Sequence, residues 1–229
     1  MKNLYIILLI FVLLPISIIT INGCNNNGTD PEDNDTIPDP VDNPLWPFNV
    51  GDWWEIMVWD NEGSHPETTF EYYEVDSVFG FSDERVARIR FSLLRNDTLF
   101  SYPDIWWGNT EEGLYMFGPY GNEFEPYDSP RLLFKHPAID GDAFDSYALD
   151  DPGVADEMLF FDMGIPPIEV PAGTFDLCVG FQVHQAPATD YYYYFQPDMG
   201  YISMEKYNGS SLVKTKRLSD YFDNDSLAI

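Results

Sequence analysis

Alternation of apolar and polar residues is the clearest pattern along this chain, and it is most regular between Thr174 and Gln185. One face of that segment carries Phe175, Leu177, Val179, Phe181 and Val183, and the other carries Thr174, Asp176, Cys178, Gly180, Gln182 and His184. Because successive side chains of a strand point to opposite faces, this pattern predicts a half-buried strand in an antiparallel sheet.

The segment Val86–Arg95 alternates in the same way. Its predicted inward residues are Ala87, Ile89, Phe91 and Leu93, and its predicted outward residues are Arg88 and Arg90. Shorter apolar and aromatic runs, separated by Gly, Pro, Asn and Asp, indicate further strands. These are Asp52–Trp59, Thr69–Phe79, Thr98–Trp107, Gly113–Phe117, Arg131–Lys135, Met158–Asp162, Asp190–Gln196, Gly200–Tyr207 and Leu212–Leu218.

These patterns predict an all-β fold with few or no helices after the N-terminal segment, because Asp, Gly and Pro recur too often for long helices. Asn61-Glu62-Gly63 and Asn208-Gly209 are typical of hairpin turns. Phe124–Pro152 is predicted to form long loops with at most one short helix. Short links between consecutive strands favour a meander. We therefore expect one antiparallel domain over residues 46–222, a curved open barrel or a sandwich, followed by a tail over 223–229.

Residues 1–23 have the pattern of an export signal peptide. A lysine at position 2 precedes an apolar stretch from Leu4 to Ile21, and a small residue, Gly23, precedes a cysteine. The stretch is long enough for the alternative interpretation, a transmembrane helix, since about 17–25 apolar residues span a bilayer. Pro15 and the Gly-Cys pair favour the signal peptide.

The four residues Ile21-Asn22-Gly23-Cys24 resemble the lipobox of bacterial lipoproteins, with Asn22 in place of the usual Ala or Ser. This resemblance implies cleavage between Gly23 and Cys24 and attachment of lipid to the cysteine. Two or more acyl chains would then hold the protein stably on a membrane.

Residues 24–45 are predicted to be the lipidated N-terminus and a disordered acidic tether. Asn25–Pro44 contains six acidic residues, no basic residue and almost nothing apolar, so it cannot bury enough surface to fold. Asn25 differs from the Asp that resembles an inner-membrane retention signal, and the acid-rich stretch resembles surface-export signals. The expected location is the cell envelope, with the outer membrane favoured over the inner and the facing left open.

The charge balance narrows the choice of partners. The chain has 39 acidic and 11 basic residues, a formal net charge of −28. Such a field disfavours nucleic acid and leaves a basic protein as a candidate partner. Arg85, Arg88, Arg90 and Arg95 form the only sizeable basic group in the sequence, and acids lie close to them. With Cys24 used by lipid, Cys178 has no disulfide partner.

Adjacent aromatic residues suggest one candidate binding surface. In each pair Trp53-Trp54 and Trp106-Trp107, and in the run Tyr191–Phe195, some rings must leave the core face unless both faces are covered. The candidate ligand platform, for sugar rings or another flat ligand, consists of Trp53, Trp107, Tyr192 and Tyr194. We favour the simpler interpretation, cross-strand packing of these rings.

Other chemistry-bearing residues form no recognisable site. His65, His136 and His184 lack metal-ligand spacing, and Cys178 and His184 would lie about 20 Å apart along a strand. We therefore predict no metal site and no cofactor, with Ca²⁺ as an alternative at two acidic clusters. Those clusters are Asp150, Asp151, Asp156 and Glu157, and Asp220, Asp223 and Asp225. The usual hydrolase, nucleotide and metalloprotease motifs are missing, so an enzyme is the less favoured class.

A second resemblance concerns the folded part. Val170-Pro171-Ala172-Gly173-Thr174-Phe175, the aromatic segment Tyr193-Tyr194-Phe195 and the turn at Gly200 occur in an order similar to uncharacterised exported bacterial β proteins. Gly51-Asp52-Trp53-Trp54 fits the same group. This resemblance implies a fold and no activity.

Three functional hypotheses remain. The favoured one is a lipid-anchored, non-enzymatic envelope protein with a binding or structural role, in which the aromatics contact a glycan or another flat ligand. The second is a carrier of lipid or lipoprotein with an apolar concave surface, which requires a cavity open to solvent. The third is a hydrolase of envelope or extracellular polymer, which requires converging carboxylates or a nucleophile. The oligomeric state is not predicted.

Overall fold

The structure is a computed structural model, and it describes residues 40–63, 66–148, 155–185 and 187–222. The predicted signal peptide, Cys24, most of the tether and the C-terminal tail lie outside the described residues. The strands are β1 (Trp53–Asp60), β2 (Glu67–Phe81), β3 (Glu84–Arg95), β4 (Thr98–Ser101), β5 (Ile105–Thr110), β6 (Gly113–Met116), β7 (Arg131–Lys135), β8 (Ala143–Ser146), β9 (Asp156–Phe161), β10 (Ile168–Val170), β11 (Gly173–Phe175), β12 (Val179–Gln185), β13 (Thr189–Gln196), β14 (Gly200–Asn208) and β15 (Ser211–Phe222).

Twelve of these strands follow one path in a single antiparallel sheet, in the order β7-β6-β5-β3-β2-β1-β15-β14-β13-β12-β9-β8. β4 pairs with β3, and β10 and β11 form a separate two-stranded sheet. Along the path each strand pairs with a near neighbour in sequence, except that β1 pairs with β15. The predicted meander is therefore confirmed as two meanders joined at the β1–β15 pair.

The two ends of the sheet meet, which gives it the shape of a barrel. The backbone N–H of Tyr147, just after β8, donates to the carbonyl of Leu132 in β7 at 2.9 Å. The Ser146 hydroxyl donates to the Leu133 carbonyl at 2.6 Å. One hydrophobic core, with residues from strands on both halves of the sheet, lies inside. The predicted all-β fold is confirmed as a curved, nearly closed barrel, and the described residues contain no helix.

The chain that precedes β1 packs under one end of this barrel. Leu45, Trp46 and Phe48 are all buried, so the last residue of the predicted tether segment already belongs to the core. The Trp46 ring contacts the rings of Trp54 at 5.2 Å and Phe195 at 6.1 Å. We call this end, where Leu45, Trp46 and Phe48 pack, the closed end.

At the opposite end lie the turns that join β1 to β2, β3 to β4, β12 to β13 and β14 to β15, as the strand registers show. We call it the open end. The registers place Asp60 opposite Glu67 and Asn208 opposite Ser211 at these turns. The predicted hairpin turns at residues 61–63 and 208–209 therefore both lie at the open end.

The predicted strand Thr174–Gln185 is wrong as one continuous strand. It is divided into β11 and β12, and the interruption lies at Leu177, whose φ of 57° is in the left-handed region. This turn reverses the predicted facing at the break, so Leu177 is 90% exposed and Cys178 is buried. Beyond it, Phe181 and Val183 point into the core as predicted.

Two smaller differences follow from turns. The predicted strand Thr98–Trp107 is two strands, β4 and β5, because the chain leaves β3 and returns to it. β8 lies in the segment predicted to be loop, and no helix occurs in the described part of that segment, residues 124–148. β3 agrees with prediction, since Ala87 and Ile89 are buried in the core.

A second, smaller core lies outside the barrel wall. Val86, Trp106 and Phe117 are buried there, with Phe79, Phe81, Tyr115 and Phe124 packed against them. Trp106 therefore faces outward and is covered, while its neighbour Trp107 faces inward and packs on the main core. Both faces of the sheet are therefore covered at Trp106 and Trp107, so neither ring of this adjacent pair has to be exposed.

Replacing Trp46 by Ala should lower the free energy of unfolding by about 3–5 kcal/mol, the usual cost of deleting a buried large aromatic ring. Urea unfolding followed by circular dichroism measures the loss. Trp53→Ala is the matched control, because Trp53 is only half-buried on the outer face of β1. Equal losses in the two variants would contradict the assigned role of Trp46 at the closed end.

Candidate functional site: a cavity inside the barrel

A cavity of about 560 Å³ lies inside the barrel, above Trp46. Its lining includes residues that are also exposed at the surface, namely Glu62, Tyr102 and Tyr120, so it opens to solvent. Barrels commonly carry ligand sites in their mouths, and sites of about 300–1,000 Å³ accept small molecules. The cavity is thus large enough for a ligand and accessible to one.

Inward-facing side chains of three neighbouring strands, β2, β3 and β5, form the aromatic wall of the cavity. On β2, Tyr73 shares the inward face with buried Val75, and it lies opposite Phe91 of β3. On β5, Trp107 shares the inward face with Ile105. Period-two spacing therefore aims all of these side chains into the barrel.

The rings of this wall are close to parallel. The Tyr73 ring lies 5.0 Å from Phe91 at an angle of 29°, and 6.3 Å from Trp107 at 20°. Trp46 forms the floor, 5.5 Å from Trp107 and 5.9 Å from Tyr201. The lower part of the cavity is therefore an aromatic surface suited to apolar groups.

Charged side chains line the cavity toward the open end. Lys216 donates to Glu71 at 2.9 Å, and Glu71 also accepts from the Tyr73 hydroxyl at 2.9 Å. Lys206 pairs with Glu62 at 2.6 Å, and its ammonium lies 5.2 Å from the centre of the Tyr191 ring. The cavity is thus polar at its mouth and apolar at its floor.

Two further ion pairs extend the charged region at the same end. Lys214, which also lines the cavity, pairs with Asp60 at 3.2 Å. Arg95 forms a two-pronged contact with Glu67, at 2.5 and 2.7 Å. We call the three cavity lysines, Lys206, Lys214 and Lys216, the lysine cluster.

Ion pairing keeps these groups charged. Burial lowers the pKa of Lys206, but hydrogen bonds to Glu62 and Tyr191 outweigh burial, and the pKa lies above its ordinary value. Burial raises the pKa of Asp60, but hydrogen bonds from the Glu62 backbone and Lys214 outweigh it, and the pKa is lowered. The mouth therefore carries full charges of both signs at neutral pH.

The cavity tyrosines are held neutral. Burial, followed by the charge of Glu71 and the hydrogen bond to it, raises the pKa of Tyr73 well above its ordinary value. Burial, followed by the charge of Glu71, does the same to Tyr201. The Tyr201 hydroxyl has no hydrogen-bond partner among the described residues. Within the barrel these side chains act as uncharged groups.

The four residues of the predicted ligand platform do not share one surface. Trp107 lies in the cavity wall, whereas Tyr192 and Tyr194 lie on the outer face of β13. Trp53 lies on the outer face of β1, and β15 and β14 separate it from β13. Only Trp107 belongs to the cavity.

The outer tyrosines also pack edge to face, so they present no common plane. The Tyr192 ring meets the Tyr207 ring at 90°, and the Tyr194 ring meets the Phe161 ring at 88°. The Tyr192 hydroxyl accepts a hydrogen bond from Gln182 at 3.0 Å. This arrangement is the cross-strand packing that the sequence analysis favoured.

His136, His184 and Cys178 lie apart from the cavity. His136 contacts Asn43 at 3.3 Å, and His184 pairs with Asp190 at 2.8 Å, whereas His65 lies outside the described residues. Burial, followed by the charge of Asp176, raises the pKa of the Cys178 thiol to about 11, so it is a poor nucleophile.

The predicted acidic clusters are only partly described. Asp156, Glu157 and Asp220 lie on strands, while Asp150, Asp151, Asp223 and Asp225 lie outside the described residues. Within the described ranges, no group of three or more His, Cys, Asp or Glu side chains is arranged to hold a metal ion. The same ranges contain no helix long and apolar enough to cross a bilayer.

Sequence reasoning missed the lysine cluster, although a signal for it existed. Lys216 and Lys214 stand two and four residues, respectively, before Leu218, a core residue of a predicted strand. Period-two spacing therefore places both lysines on the inward face. The sequence analysis had named only the four arginines as a basic group.

Two solved structures are similar to this chain. A Bacteroides fragilis protein described as exported, with a YmcC-like fold, is 13% identical with a TM-score of 0.47, and the match covers 78% of this chain and 98% of that one. A Parabacteroides distasonis protein described as a lipoprotein is 15% identical with a TM-score of 0.44, covering 79% and 99%. No protein-family model matches the chain. No curated protein matches it either.

Tyr201 should make the folded state sensitive to alkali. Its pKa is raised on folding, so above about pH 10 the unfolded chain loses a proton that the folded chain keeps, and stability falls as the pH rises. Tyr201→Phe removes this contribution, which is worth about 1.4 kcal/mol per pH unit above pH 10. Urea unfolding at pH 8 to 11 measures it. Parallel stability curves for variant and wild type across this whole range would contradict the assignment.

Proposed function

We propose that this chain is a lipid-anchored protein of the cell envelope whose β domain binds, without catalysis, an apolar or amphipathic small molecule inside the barrel. The observation that carries the proposal is the solvent-open cavity of about 560 Å³ with an aromatic floor and a charged mouth. A side-chain-filled core would leave no such space. The proposal is closest to the carrier hypothesis, with the barrel interior as the concave surface.

The cavity wall supports a ligand with a substantial apolar part. The aromatic rings of Trp46, Tyr73, Phe91 and Trp107 line the cavity there, and burying apolar surface is worth about 25 cal/mol per Å². These residues are already held in place by ring-to-ring contacts, so little ordering would be needed on binding. A preformed apolar site of this kind favours binding over catalysis.

The residues before β1 are held at the closed end of the barrel, so a lipid anchor at the N-terminus would leave the cavity mouth accessible. The Pro44 carbonyl accepts a hydrogen bond from the Asp198 N–H at 2.8 Å, and the Asn109 amide donates to the Trp46 carbonyl at 2.6 Å. Both contacts lie at the closed end. A tether that runs from lipid on Cys24 would therefore reach the barrel opposite its mouth.

The glycan version of the binding hypothesis has weaker support. Its outer-face rings, Tyr192 and Tyr194, pack edge to face with neighbouring rings and do not form one shared plane on which a sugar could stack. The hydrolase hypothesis also has weaker support, because the cavity carboxylates Glu62 and Glu71 are each paired with a lysine. Small-molecule binding inside the barrel is the better-supported function.

Binding to the cavity can be tested with N-phenyl-1-naphthylamine, a neutral probe that fluoresces in apolar surroundings. We expect the full chain to bind it saturably, and 1-decanol to displace it. Ile105→Trp replaces an aliphatic side chain of the cavity wall by a larger indole ring and should weaken probe binding by about tenfold, because it reduces the apolar volume of the cavity. Fluorescence titration provides the measurement.

Thr68→Trp is the matched control, because Thr68 is exposed on the outer face of β2. Both variants should first be shown to unfold cooperatively. Undiminished probe binding in a folded Ile105→Trp variant, or no saturable binding by the wild type, would refute the cavity as a binding site.

The anchor is tested separately. Cys24→Ser should abolish incorporation of radiolabelled palmitate and release the protein from the membrane fraction, since the sulfur is the proposed attachment atom. Cys178→Ala is the control, because Cys178 is buried and should not affect labelling. Palmitate incorporation into Cys24→Ser, or its loss in Cys178→Ala alone, would rule out the proposed lipid site. Outer-membrane location, proposed from Asn25, is tested by fractionating the same membranes.

A further inference from the structure

The three residues of the lysine cluster lie on two adjacent strands and face the same cavity. In the register of β14 and β15, Lys206 lies directly opposite Lys214. Lys216 lies two residues further along β15, about 7 Å away on the same face. The side chains are 18%, 26% and 25% exposed in the order Lys206, Lys214, Lys216, so they are largely enclosed yet reachable.

The lysine cluster stands out because basic side chains are few in this chain. The protein has 39 acidic and 11 basic residues. The cavity lining, however, contains three lysines and only two carboxylates, Glu62 and Glu71. Asp60, the partner of Lys214, is not part of the lining. With Asp60 counted, three carboxylates balance the three lysines, so the lysine cluster is a row of ion pairs whose ammonium groups, each with three N–H donors, keep donors for a ligand.

The pairing of Lys206 with Lys214 is unfavourable in itself. Side chains directly opposite in an antiparallel pair have Cβ atoms about 5 Å apart, and like charges there are destabilising. Here Glu62 and Asp60 offset much of that repulsion by pairing with Lys206 and Lys214. An anion seated between them would reduce the repulsion further and would gain charge-assisted hydrogen bonds from their remaining N–H donors.

We infer that the ligand of the cavity is an anionic amphiphile, whose carboxylate, phosphate or sulfate head lies at the lysine cluster and whose apolar tail extends to the aromatic floor. This inference rests on the proposed function and adds the charge of the ligand to it. The head lies at the mouth, next to Lys206 and Lys214, and Lys216 extends the positive surface inward. Tyr73 and Trp107 then contact the tail.

Matched decyl compounds test the inference on the full chain. Decanoate and decyl phosphate carry anionic heads, 1-decanol is neutral, and decyltrimethylammonium is cationic. We expect both anionic compounds to bind at least about tenfold more tightly than 1-decanol, since hydrogen bonds to charged groups are worth about that factor. The cationic compound should bind weakest. Displacement of N-phenyl-1-naphthylamine measures all four.

Substitutions in the lysine cluster test whether these lysines cause the preference for an anionic head. Lys206→Gln with Lys214→Gln should remove the preference for decanoate over 1-decanol. Lys206→Arg with Lys214→Arg should restore the preference, because it keeps the charge. Arg217→Gln is the matched control, because Arg217 lies on β15 next to Lys216 and pairs with Met57 on the outer face. It should behave as the wild type does.

The outcomes separate this inference from the proposed function. If the wild type binds 1-decanol and decanoate equally, or prefers the cationic compound, the anionic head is refuted while cavity binding stands. If none of the decyl compounds binds, both proposals fail. Acetate and inorganic phosphate, which lack a tail, should bind at least about a hundredfold more weakly than their decyl counterparts. Equal binding of the tailless anions would refute the amphiphile and indicate a small-anion site.

Discussion

The width of the barrel is the constraint on which the rest of this structure depends. A closed sheet of about eight strands is just wide enough for its own side chains to fill. Here twelve strands follow the path of the sheet, so the space inside exceeds what inward side chains can occupy. At one end Leu45, Trp46 and Phe48 fill that space. Nothing equivalent among the described residues fills the other end, and the cavity occupies it.

Charged and uncharged side chains follow the same division between the open and the closed end of the barrel. The aromatic floor is uncharged, and the tyrosines near it are held neutral by burial. The mouth concentrates ion pairs that are only partly exposed, such as Lys216 with Glu71. Pairs in such positions contribute little to stability, because desolvation offsets much of their attraction. The proposed recognition of a ligand would account for the concentration of these ion pairs at the open end.

The sequence was a good guide to strands and a poor guide to the space between them. Period-two alternation identified β3 and the inward faces of β12, because packing imposes that period directly. It failed at Leu177, where a left-handed backbone reverses the facing without any glycine to signal it. It also missed β8, whose four residues are too few to show a period. The cavity was out of reach, because it depends on strand number and closure, which no local pattern encodes. For the same reason Trp107 and Tyr192 could not be assigned to different sides of the wall.

The pairing of β1 with β15 has a consequence for how the chain reaches its fold. These strands are the first and the last of the sheet, about 160 residues apart, and their register involves the full length of β1. A growing chain cannot form this seam until the last strand has been made. Contacts between such distant residues raise the contact order and slow folding. Until the seam forms, β1 and β15 each present an unpaired edge, so loss of the final strand would leave an aggregation-prone half-built sheet.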